Sequence, residues 1–520
     1  MSAPVPFSPL PARVTSAKAL FLVALSAALY TACFAPLQWY WLAAVALVPL
    51  LVVLRSVSPA RAALLAAGWS LLVSAGVVAA WLIDAASVYY AQPALLGWAV
   101  FFVGTTVTAS WAYALLGAGL AWAGKRGGFA SMAVSLFGFT AVELLRVRLG
   151  GNPVALIGVA LPADHVLAQV ADIGGVYAVG FLAVVCNAAL VEIATRLRGS
   201  GTRGPAVAMT VTAVLLVVLA AGYGRWRLVS LADGLADKPE TVVAVAQDNL
   251  DLGSQWDERL YGRNLKVYLR LSREVLSGSA ARVLFWPESS MTFFLDEEPR
   301  FARSIAAVLE PAGAQLVAGG PRRDGDNARY FNSAFLLEPS ARVTGTYDKQ
   351  QLLPFAEYFP LGAVELLRRR FARAREFTPG GQAALLPTAA GQAGVLVCNE
   401  SMFPSLAADR TREGAEYLAV LSNDTWIGHR QYSEMQLAVA AFRAVEQRRF
   451  VVRASTAGPS AVIDPLGRVI VSTEMFERET LVGSISASRE STLYARGGDW
   501  FAVLCVALSL LAVVVGRRQE

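Results

Sequence analysis

Four cysteines and two histidines are all that this 520-residue chain offers for disulfide, metal or thiol–imidazole chemistry. Cys33, Cys186 and Cys505 fall in long apolar stretches, so Cys398 has no partner in its own region and a disulfide framework is excluded. From Thr241 onward the one histidine is His429, too little for a zinc site. The sequence also lacks a glycine-rich phosphate loop, a dinucleotide fingerprint and internal repeats. Neither a metal nor a cofactor is expected. Charge is scarce as well: 16% of residues are charged and 55% hydrophobic, and the mean hydropathy of +0.49 excludes an ordinary soluble protein of this length.

What the chain has instead is length of apolar sequence. Stretches long enough to cross a bilayer recur at 18–34, 39–54, 63–83, 95–123, 128–145, 170–195 and 205–223, with one more at 500–516. The expectation is a polytopic α-helical membrane protein of about eight spans. The first segment is read as an uncleaved anchor rather than a signal peptide, because six more spans follow before the chain changes character. Lys and Arg fix the orientation, since they collect in loops that stay in the cytoplasm. With the N-terminus inside, the inside set holds Arg13, Lys18, Arg55, Arg61, Lys125, Arg126, Arg196, Arg198, Arg203, Arg517 and Arg518. The opposite loops carry Arg146 and Arg148, with Arg225 and Arg227 after the seventh span. The resulting division is a seven-helix membrane domain over 1–223, an extracytoplasmic domain over 224–498, and a last span with a short cytoplasmic tail over 499–520. The net charge of +6 and the pI near 9.2 come partly from this loop bias, so no nucleic-acid partner is implied.

From Thr241 the pattern becomes short β-branched runs alternating with amphipathic stretches. Strands are expected at 241–247, 281–289, 314–320, 331–339, 393–400, 416–424, 450–456 and 460–473, and helices at 257–277, 299–310 and 433–449. That alternation predicts an α/β layered domain with a core of its own.

Three segments place reactive groups at the ends of apolar runs, where open α/β sheets hold their sites. "LFWPES" presents Glu288, "GTYDKQQLLPFAEYFP" presents Lys349 and Glu357, and "GVLVCNES" presents Cys398 and Glu400. Taken singly, each has an ordinary explanation: a strand-end glutamate or lysine is usually solvated, and a lone cysteine is usually a small buried hydrophobe.

Taken together, these motifs resemble the nitrilase (carbon–nitrogen hydrolase) superfamily, whose triad is Glu, Lys and Cys in that chain order. The resemblance covers most of 241–490. The flanking spans narrow it to the apolipoprotein N-acyltransferase family, whose motifs are matched by "WPES", by "YDKQQLLPFAEYFP" and by Cys398 with Glu400 two residues on. Further matches are Gln247, Asn249 and Trp256 in "VAQDNLDLGSQW", Asn423 and Trp426 in "SNDTWIG", and Arg453. The sequence departs from the family at Asn399, where an aromatic is usual, at Ala356, where glycine is usual, and in the loop "GNPVALIG" over 151–158.

The resemblance implies an extracytoplasmic αββα sandwich and a catalytic triad of Glu288 as base, Lys349 as electrostatic partner and Cys398 as nucleophile. Glu357 and Glu400 would support them by orienting Lys349 or tuning the charge, and Trp256, Trp426 and Asn423 would contact substrate. It implies a phospholipid acyl donor, a diacylglyceryl apolipoprotein acceptor, and a ping-pong route through a Cys398 thioester. A monomer in the bacterial inner membrane, with its catalytic domain in the periplasm, is the expected setting. The mixed apolar and basic segment 360–377 suits an arm on anionic head groups, and equally a solvated helix. Against a Cys398–His429 protease pair stand the Glu and Lys motifs. Two other readings stay open: an anchored amidase or nitrilase releasing product to water, and a transporter or receptor carrying an inactive domain of this kind.

Overall fold

The computed structural model describes residues 15–517, apart from 90, 127, 198–202, 237, 251–257, 326–328, 355, 360–375 and 382–383. The chain divides into two compact units. One gathers the described residues of Met1–Ile83, Leu95–Leu228 and Gly497–Glu520, and the other those of Asp84–Ala94 and Val229–Arg496.

The first unit is helical. Among the described residues, five helical stretches are long and apolar enough to cross a membrane: Pro59–Val88, Ala94–Arg126, Ala130–Arg148, Val166–Leu197 and Ala206–Leu235. Shorter apolar helices at Ser16–Ala32, Tyr40–Leu54 and Trp500–Gly516 stand at the remaining expected positions. Two ion pairs among these helices offset the cost of placing charge in a low-dielectric interior. Arg55 meets Glu192 at 2.6 Å and Arg227 meets Asp172 at 2.9 Å. Arg146, read from sequence as a loop charge, is buried. It donates to the carbonyl of Val154 at 2.6 Å, while Glu143 accepts from the Ile157 N–H at 2.8 Å, so this pair of side chains braces the 152–157 loop.

The second unit holds twelve strands among the described residues: β1 Thr241–Gln247, β2 Val283–Phe285, β3 Gln315–Asp324, β4 Arg329–Leu337, β5 Val343–Asp348, β6 Leu386–Thr388, β7 Gly391–Val397, β8 Tyr417–Ser422, β9 Val451–Ser455, β10 Ala461–Ile463, β11 Val469–Ser472 and β12 Glu479–Ile485. They form two six-stranded sheets, ordered β12-β1-β2-β3-β4-β5 and β11-β10-β9-β8-β7-β6. The central pairs β1–β2, β2–β3, β7–β8 and β8–β9 are parallel and the outer pairs antiparallel.

The two-residue period of a strand decides what each side chain meets. Val243 and Val245 of β1 point into the core between the sheets, with Val395, Val397, Ala419, Leu421 and Val452 from the opposite sheet. Ala244 and Ala246 point outward, onto a second core with Leu265, Tyr268 and Leu271 of the helix Tyr261–Ser277 and Ile305 of the helix Pro299–Leu309. Helices Pro404–Arg412 and Arg430–Gln447 pack on β7 and β9 of the other sheet. The layers are therefore helix, sheet, sheet, helix. Burial on both faces explains why the central strands read as unbroken apolar runs.

Several expected boundaries move. The strand of 281–289 ends at Phe285, so Glu288 sits on a loop, and the strand of 393–400 ends at Val397, where a short 3₁₀ turn, Cys398–Met402, begins. The expected strand of 460–473 is two strands, β10 and β11, that pair with each other around an intervening turn. Strands β5, β6 and β12 and the helix Pro404–Arg412 were not expected.

Candidate active site

Glu288, Lys349 and Cys398 arrive from three loops, after β2, β5 and β7, and line one cavity of about 50 Å³ with Asn332, Glu357, Asn423 and Trp426. All three are buried. The loop carrying Glu288 lies against β3 at Gly319, where a Cβ would fall 2.6 Å from the Glu288 Cα, so only glycine permits that approach.

The Lys349 ammonium lies between two carboxylates. It donates to Glu357 Oε1 at 2.9 Å and lies 2.8 Å from Oε2, while Glu288 Oε1 is 3.4 Å away. Asn332, on β4, donates its amide to both glutamates at 2.7 Å each, and the Asn423 N–H donates to Glu288 Oε2 at 2.9 Å. Glu357 accepts in addition from the Leu353 N–H at 2.8 Å. Burial pushes the Glu288 carboxyl above the usual range; Lys349 opposes this, Glu357 adds to it, and donation from Asn332 and the Cys398 thiol pulls it back. Burial would lower the Lys349 ammonium, but Glu288 and Glu357 outweigh it and hold Lys349 charged. The Cys398 thiol is pushed well up, by burial first and then by Glu288, with Lys349 opposing and Asp424 and Glu357 adding. The resting pocket therefore holds a neutral thiol and an ammonium beside the side chains of Glu288 and Glu357.

Cys398 has a φ of +53°, in the left-handed region that a residue with a Cβ occupies only when its surroundings impose it. Glu400 supplies that constraint. Its Oε2 accepts from the Val397 N–H at 2.7 Å, and its Oε1 from the Gln350 and Gln351 N–H groups at 2.7 and 3.0 Å. The Tyr347 hydroxyl adds a bond of 2.8 Å, and Arg410 donates to that hydroxyl at 2.7 Å. One buried carboxylate thus ties the turn of Cys398 to the strand end that carries Lys349. Glu400 does not line the cavity; it acts through backbone, whereas Glu357 touches Lys349 directly.

Of the other residues singled out from sequence, Asn423 and Trp426 line the cavity, and Trp256 and most of the 360–377 segment lie outside the described residues. His429 stands at the start of the helix Arg430–Gln447 and is not a cavity residue. Gln247 is buried away from the cavity, with Oε1 accepting from the Ser460 and Thr473 hydroxyls at 2.8 Å each. Arg453 pairs at 2.8 Å with Asp424, both fully buried. Asn332, inside the stretch "FNSAFLL", was not singled out.

The layered sheets and the pocket between strand ends define a carbon–nitrogen hydrolase domain, and the family described as Carbon-nitrogen hydrolase matches residues 243–494. Residues 26–189 match the family described as Apolipoprotein N-acyltransferase N-terminal domain. The Apolipoprotein N-acyltransferase of Geobacter metallireducens is 35% identical over 377 residues, covering 71% of this chain and 71% of the relative. That of Bradyrhizobium diazoefficiens is 32% identical over 415 residues, covering 75% and 73%. An amidase of known structure from Nesterenkonia sp. is 19% identical, covering 47% of this chain and 90% of its own, at a TM-score of 0.36. The chain belongs to the apolipoprotein N-acyltransferase family. It is an acyltransferase of the membrane, acting in the N-acylation of lipoproteins.

Proposed function

We propose that the enzyme acylates the α-amine of diacylglyceryl-cysteine apolipoproteins with an acyl chain from a membrane phospholipid, in two half-reactions through a Cys398 thioester. Glu288 takes the Cys398 proton as the sulfur attacks the ester carbonyl. Lys349 stabilises the negative charge that passes from sulfur to the carbonyl oxygen. The carbon–oxygen bond then breaks, Glu288 returns the proton to the departing alkoxide, and lysophospholipid leaves. In the second half the lipoprotein amine attacks the thioester, Glu288 accepts a proton from the amine nitrogen, and the sulfur leaves and is reprotonated. The product is an amide.

The observation that carries this reading is the ammonium between two carboxylates beside a buried thiol. With both carboxyls ionised and Lys349 charged, Glu288, Glu357, Lys349 and Cys398 together hold one net negative charge, and moving the thiol proton to Glu288 leaves that sum unchanged. Ionising the thiol to solvent would instead add a buried anion, which is costly. The proton transfer within the cluster is thus the low-energy route to the nucleophile.

The same reading makes the chain an eight-span inner-membrane protein, with residues 224–498 as its periplasmic domain, seven spans before it and one after, working as a monomer. Asn423 and Trp426 at the cavity wall, and Trp256, are its substrate contacts. The test is to incubate purified protein with labelled phospholipid and map the adduct. A hydroxylamine-sensitive acyl group on the Cys398 peptide, absent from Cys398→Ala, supports the scheme; turnover in Cys398→Ala excludes it.

A further inference from the structure

The Cys398 sulfur has polar neighbours besides the carboxylate and ammonium cluster. The Tyr432 hydroxyl lies 3.9 Å from Sγ and the Ser422 hydroxyl 4.0 Å. Tyr432 and Gln436 are one turn apart on the helix Arg430–Gln447, and the Gln436 amide donates to the Tyr432 oxygen at 2.7 Å. The Gln436 carbonyl accepts from Ser401 at 3.1 Å, and the same Ser401 hydroxyl lies 3.0 Å from the Cys398 carbonyl oxygen. These contacts close a ring that leaves Cys398 at its backbone carbonyl, passes through Ser401, Gln436 and Tyr432, and returns to Cys398 at its sulfur. Every member is buried.

We propose that Tyr432 is a catalytic hydrogen-bond donor to Cys398, stabilising the thiolate while Glu288 removes the thiol proton, and that Gln436 and Ser401 hold the tyrosine hydroxyl on the sulfur. The proposal rests on the reading of Cys398 as the nucleophile. A tyrosine oxygen that accepts from an amide keeps its own proton available for a second partner, and sulfur accepts far better as thiolate than as thiol. The interaction therefore strengthens as the sulfur ionises, which is the condition for lowering a barrier rather than only binding the ground state. The charged and titratable groups around the thiol are Glu288, Glu357, Asp424, Lys349 and Tyr432, and of these Glu288, Glu357 and Asp424 disfavour the anion. A neutral donor helps without adding charge, and burial keeps Tyr432 protonated, pushing its hydroxyl well above the usual range. Tyr432 keeps its proton throughout; the thiol proton goes to Glu288. The same donor meets the sulfur again when it leaves the tetrahedral intermediate in the second half-reaction.

The test uses the full chain in detergent, with Tyr432→Phe and Gln436→Leu. Two rates are measured: alkylation of Cys398 by iodoacetamide between pH 7 and 9, followed on the Cys398 peptide, and acyl-adduct formation from labelled phospholipid. Tyr432→Phe should slow both by about tenfold, at the low end for loss of one hydrogen bond to a charged group, and displace the alkylation profile toward higher pH. Gln436→Leu should do the same by a smaller factor. A wild-type alkylation profile in Tyr432→Phe, or slower adduct formation without any displacement of that profile, overturns the proposal and leaves Tyr432 a packing residue. Should Tyr432→Phe not fold, the Gln436→Leu profile decides: displaced supports, undisplaced overturns. If the wild-type protein forms no adduct at Cys398, it is the nucleophile reading that fails, whatever the Tyr432 variant shows.

Discussion

The Lys349 ammonium is held closer to Glu357, at 2.8 Å, than to Glu288, at 3.4 Å. In the proposed mechanism the lysine is thereby committed to the carboxylate that takes no proton, and Glu288 is left less neutralised. Glu357→Gln should release Lys349 to Glu288, lower the basicity of Glu288 and cut turnover roughly 10–100-fold, less than loss of a general base outright. The sign is fixed by the causes of the Glu288 shift. Glu357 is one of the groups raising that carboxyl, so its removal lowers it, and the acidic limb of the pH–rate profile should move to lower pH. Kinetics of the variant across pH 4–8 check this; an acidic limb that moves upward contradicts it.

Glu400 should behave differently, because it holds backbone rather than the lysine. Replacing it by Gln removes a charge that accepts from Val397, Gln350 and Gln351, and should cost about 2 kcal/mol or more of stability. Glu400→Gln should therefore lower the Tm and slow both half-reactions without moving the acidic limb of the pH–rate profile, whereas Glu357→Gln should move that limb. Thermal unfolding and the pH–rate profiles of the two variants together separate the roles.

Asp248, which does not line the active-site cavity, gives a pH dependence of stability. Burial raises its carboxyl to about 7, although the Tyr268 hydroxyl donates to it at 2.7 Å. A carboxyl raised on folding favours the native state fully below its unfolded value near 3.8, and that contribution is lost as pH rises toward about 7. Asp248→Asn should flatten the fall in Tm between pH 4 and 7 and raise the Tm at pH 8 by several degrees. An unchanged slope in the variant contradicts this.

The charge asymmetry of the loops predicts that reporter fusions after Arg227 and after Glu520 report opposite compartments. A cytoplasmic signal at the first junction would sink the periplasmic placement.

How far the sequence was legible depends on burial. β1, β7, β8 and β9 are covered on both faces, so "TVVAVAQ" and "AGVLV" stand out as apolar runs. Short or edge strands carry no such mark: β6 is three residues with Pro387 in the middle, and β12, at the edge of its sheet, buries only Leu481 and Ile485. Glu288, Lys349, Glu357 and Cys398 stood out only because their flanking motifs, taken together, resemble those of one family. Asn332 and Tyr432 were not, because a polar residue in a strand and an aromatic on an amphipathic helix each have ordinary packing explanations, and only the fold brings them to the carboxylates and the sulfur. The opposite roles of Glu357 and Glu400 were likewise invisible, since both read simply as a glutamate near a motif.

The most direct test of the central claim is the time course of lysophospholipid release from phospholipid alone. A transferase must shelter its thioester from water until an amine arrives, so the account predicts a burst of about one equivalent per active site. Adding a diacylated lipopeptide with a free α-amine should restart release, and acetylating that amine should prevent the restart while leaving the burst intact. Sustained release of free fatty acid without any lipopeptide would contradict the two-step transfer and mark the enzyme as a hydrolase.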